Sequence, residues 1–83
     1  MNIIPVSKLN QNNENINIGD IIQINIDQVL KITHITTVQH RFYQHSVSIK
    51  ETPVHAIYTT GNKEREVSGK ISQLILLLTG NVV

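Results

Sequence analysis

The chain has 83 residues, no cysteine and near-balanced charge, with seven Lys/Arg against six Asp/Glu. That length makes one domain with a marginal core, and the missing cysteines exclude disulfides and cysteine-ligated zinc as staples. The charges are interspersed, which excludes the basic excess of a dedicated duplex-DNA binder, and no Lys/Arg-rich amphipathic face marks a membrane-surface helix.

In chain order, residues 1–15 read as a flexible arm with an edge strand. Ile3, Ile4 and Val6 suit a strand, and Pro5 confines it to an edge or a bulge. Asn10 to Asn15 is polar and carries too little apolar surface to order itself. Residues 16–83 read as a single small β-rich domain. Gly19-Asp20 signals a turn, and Ile22, Ile24 and Ile26 alternate with Gln23 and Asn25, the period of a half-buried strand. A turn at Asn25–Gln28 leads into a long strand, 29–38, with Leu30, Ile32, His34, Thr36 and Val38 on one face. Residues 39–45 extend that strand or form a loop. Val47 and Ile49 mark a third strand, interrupted by Glu51-Thr52-Pro53, and residues 54–59 a fourth. Thr60-Gly61-Asn62-Lys63 is a tight turn, followed by a short charged strand, 64–67.

The period then changes. Ile71, Leu74, Ile75 and Leu78 follow an i, i+3, i+4, i+7 stripe, with Ser68 as N-cap and Gly80 where a C′ glycine belongs. A helix over 69–79 fits, and a final strand through the five-residue run Leu74–Leu78 is the alternative. That run is the longest apolar stretch and falls far short of a membrane span. Residues 1–8 show no secretory signal pattern, so the expected setting is cytoplasmic, without a membrane.

Four or five antiparallel strands and one short helix suggest a mainly β domain: a small antiparallel barrel or rolled sheet, SH3-like or OB-like. Ile18-Gly19-Asp20-Ile21-Ile22, followed after a turn by residues 29–35, resembles the first hairpin of SH3-like small barrels. The resemblance implies a fold and no activity, because that architecture hosts unrelated functions.

Chemistry is sparse. His34, His40, His45 and His55 invite a metal reading, and pairing of the second and fourth strands would bring His34 to His55. Spacing without convergence does not make a site, so no metal and no cofactor are expected. Arg41, Phe42, Tyr43 and His45, with Tyr58, form the candidate binding residues. Rings beside cations suit single-stranded nucleic acid, with Lys31 and Lys50 extending the face, and Tyr and Arg equally suit a protein contact. Gly69-Lys70 lacks the glycines and the Ser/Thr of a phosphate loop. With no nucleophile–base–orienter pattern, no enzyme is expected. Leu74, Leu76, Leu77 and Leu78 are more apolar surface than so small a domain easily covers, which points to a homo-oligomer, a dimer first. The expected function is a non-catalytic protein-interaction module that self-associates and binds a protein partner. The alternatives are a single-stranded nucleic-acid binder, or a phage or mobile-element accessory protein that binds a small molecule or nucleotide.

Overall fold

The computed structural model describes residues 2–36 and 47–83. Among these lie five strands and one α-helix: β1 (Ile3–Pro5), β2 (Ile21–Asn25), β3 (Gln28–Ile35), β4 (Pro53–Thr60), β5 (Lys63–Lys70) and α1 (Ile71–Thr79). All five strands join one sheet in sequence order. β2 to β5 form an antiparallel meander, while β1 runs parallel to β2 with Ile3 opposite Ile21.

The hairpins follow from local chemistry. At the β4–β5 tip, Gly61 takes φ +58° and Asn62 keeps a negative φ, so the signs match a type II′ turn suited to the strand twist. At the β2–β3 tip, Ile26 stands wholly in solvent, because the chain turns before its alternation with Ile22 and Ile24 can complete. The period-2 pattern puts Ile22, Leu30, Ile32, Val54, Ala56 and Tyr58 on one face, where they are buried.

The expected SH3-like or OB-like barrel does not form. The sheet is open and mixed, neither closed nor strongly curled. The physical reason lies in what covers the buried face. Ile71, Leu74 and Ile75 of α1 pack there, joined by Leu9, Ile16 and Ile49. With helix and connecting segments completing the core, the sheet need not roll onto itself. The order is not purely antiparallel either, since residues 6–20 cross over between β1 and β2 through two 3-10 turns. That crossover delivers Leu9 and Ile16 to the core. The third strand expected at Val47 and Ile49 is absent, because Ile49–Glu51 forms a 3-10 turn that buries Ile49.

The helix starts later than the stripe alone suggests. Ser68 and Gly69 remain paired with His55 and Val54, so β5 runs to Lys70. Ile71 N–H, the first helical donor, goes to Thr52 C=O at 3.2 Å, and a backbone partner replaces the expected serine cap. Gly80 ends the helix at φ +77°, its N–H donating to Leu76 C=O at 2.8 Å. No described helix is long and apolar enough to cross a membrane.

Candidate functional site

Two surfaces of this fold carry unspent chemistry: the β5 edge with the adjoining helix face, and the sheet face opposite the core.

β5 ends the sheet. The Ile71–Thr52 bond and the Thr60–Lys63 pairing that closes the hairpin fix the alternation of its backbone. Lys63, Arg65, Val67 and Gly69 turn their polar groups toward β4. Glu64, Glu66, Ser68 and Lys70 turn theirs outward, and no described residue bonds to them there. The side chains alternate as well. Val67 lies opposite Ala56 on the core side, while Glu66 and Ser68 lie opposite Ile57 and His55 on the other face, bare among the described residues.

In α1, which follows directly on β5, Leu76 and Leu77 are 46% and 74% exposed. They share a helix face with Gln73 at i, i+3, i+4 spacing. A Cβ placed on Gly69 would lie 3.7 Å from Leu74 Cδ2 and 4.0 Å from Gln73 Oε1, so the first turn of the helix packs closely on the end of β5. Of the four leucines expected at an oligomer interface, the structure therefore leaves Leu76 and Leu77 open. Leu74 is buried, and Leu78 packs partly against the core.

On the bare face, His34 and His55 are register partners across β3 and β4, as the conditional strand pairing required. Their rings meet edge to face with centroids 5.7 Å apart. Both are exposed, and they line a shallow depression of about 490 Å³ that also reaches Thr33, Ile57, Glu66 and Ser68. Thr33 Oγ1 donates to His55 C=O at 3.0 Å and stands 3.2 Å from His34 Nδ1. A register shift between Ile32 and His34 in β3 makes this possible, because it sets His34 directly opposite His55 while Ile35 returns to the core side opposite Val54.

Of the candidate binding residues, Arg41, Phe42, Tyr43 and His45 lie outside the described residues, as does His40. Tyr58 is described, and it is only 6% exposed, its hydroxyl accepting from Gln28 Nε2. Its ring belongs to the core and is not free to stack on a base. Lys31 is exposed on the bare face, and Lys50 is half-buried in the 3-10 turn. Among the described residues, no group of three or more His, Cys, Asp or Glu converges. Sequence reasoning singled out the histidines and leucines but missed the β5 edge. Its signal was the unbroken pairing of residues 63–70, which depends on β4 and leaves little trace in β5 itself. Searches for a matching protein-family model, curated protein or solved structure find none.

Proposed function

We propose that this protein is a non-catalytic interaction module that self-associates by joining β5 edge to edge with β5 of a second copy. The observation that carries the reading is the eight-residue edge with its outward polar groups unbonded among the described residues. Such an edge is a ready template for another strand.

Its charges and its length together choose the register. In a two-fold antiparallel pair, only outward-facing residues meet as hydrogen-bonded partners. One alignment sets Glu66 against Glu66, and another sets Glu64 against Glu66 and Arg65 against Arg65; both oppose like charges. Advancing the pairing sets Glu64 against Lys70, Glu66 against Ser68 and Val67 against Val67. That alignment spans residues 64–70 and opposes no like charges. Opposite-charge cross-strand pairs contribute roughly 0.2–1 kcal/mol each. The same arrangement places both α1 helices on one side of a continuous sheet. An extended segment of a partner protein would use the same edge.

Sedimentation equilibrium tests this reading. The chain is expected to dimerise with concentration, Glu64→Lys to weaken the dimer, and Glu64→Lys combined with Lys70→Glu to restore it. Ser68→Pro removes one outward N–H and leaves the β4 ladder intact, so it should yield a folded monomer. A wild-type chain that stays monomeric at high micromolar concentration overturns the proposal.

A further inference from the structure

We infer that His34 and His55 form a two-imidazole site for a late first-row divalent metal ion, with copper(II) held most tightly. The site lies on the bare sheet face and does not depend on the β5 edge.

The hydrogen bonds assign the tautomer of His34. The Thr33 hydroxyl has one proton and gives it to His55 C=O. It can only accept from His34, so neutral His34 carries its proton on Nδ1. Nε2 is left with its lone pair. A metal-bound histidine is oriented by a hydrogen bond from its other ring nitrogen in this way. The His55 ring nitrogens have no hydrogen-bond partner among the described residues.

The two imidazoles lie close enough to share one ion once a ring turns. An ion bound at about 2.0–2.1 Å from an imidazole nitrogen sits about 3.2 Å from the ring centroid. Centroids 5.7 Å apart are within the span of one ion bound to both rings, but the edge-to-face contact does not aim both nitrogens at it. Both rings are exposed and the His55 ring has no hydrogen-bond partner among the described residues, so that ring is the one free to turn out of the contact toward an ion on His34. No third protein ligand converges among the described residues, so water fills the remaining positions. With nitrogen and water ligands alone, affinity follows the order in which copper(II) exceeds nickel(II) and zinc(II). The ion would clamp β3 to β4 across the register shift. Binding to the folded form alone raises stability.

The test titrates the full chain with copper(II), nickel(II) and zinc(II), read by calorimetry and, for copper, by electron paramagnetic resonance. One copper per chain with two-nitrogen coupling is expected. His34→Gln and His55→Gln should each weaken binding by about tenfold or more. Thr33→Val should weaken it with both imidazoles still present, and Thr33→Ser should restore it. The double variant His40→Gln, His45→Gln should bind as the wild type does. Circular dichroism confirms that each variant is folded. Absence of copper binding overturns the inference, as does a smaller loss in either single histidine variant or an equal loss in the His40/His45 variant.

Discussion

Two buried polar side chains hold the connecting segments, and each bonds in more than one direction. Asp20 accepts from Asn17 N–H at 2.8 Å and from Asn2 N–H at 3.2 Å, tying the start of β1 to the turn that opens β2. Thr52 donates to Ser48 C=O and accepts from Asn13 Nδ2, both at 3.1 Å, while its own carbonyl receives Ile71 N–H. Hydrogen bonds to a charged acceptor are worth about 1.5–3 kcal/mol and neutral ones about 0.5–1.5 kcal/mol. Urea unfolding should therefore show Asp20→Ala losing about 2 kcal/mol and Thr52→Val about 1–2 kcal/mol. Gly19-Asp20 was legible as a turn. That its carboxylate also reaches Asn2 was not, because the partner lies far along the chain and only the parallel pairing of β1 brings it near.

Elements whose signal is local were the readable ones. The β2 alternation, the Gly61-Asn62 turn, the α1 stripe and Gly80 each sit within one short window and dictate their own geometry. Elements defined by a distant partner were not. Val47 and Ile49 look like strand residues, yet Asn13 N–H donates to Val47 C=O and Ile49 N–H to Gln11 C=O, holding that stretch to the crossover. Within α1, burial divides residues of one chemical type. Leu74→Ala opens a hole in the core and should cost about 2–5 kcal/mol, whereas Leu77→Ala at dilute, monomeric concentration should stay within about 0.5 kcal/mol. Thermal melts of both variants check the contrast. If Leu77 proved as costly as Leu74, the helix would pack by another face. The run of leucines could not reveal this difference, because it takes the position of the sheet to say which side is out.

Curvature is a property of the whole sheet, which is why the barrel expectation failed while several of its strands stood. Each hairpin is compatible with a rolled or an open sheet, and the choice falls to whatever else covers the apolar face. Here α1 and the crossover cover it, leaving the opposite face bare among the described residues and the edges apart. Those two edges are unequal. β1 offers three residues, one of them a proline, and β5 offers eight with their outward groups unbonded among the described residues. Strand addition at β5 would consume the long edge of each copy and leave a β1 at both ends of a ten-stranded sheet. A proline-bearing three-residue edge is a poor template for further strands. Growth should then stop after one step, so raising the concentration should drive sedimentation profiles from monomer to dimer with no larger species. The short first strand thus acts as a chain terminator, making the stoichiometry of the assembly a consequence of which edge was left long.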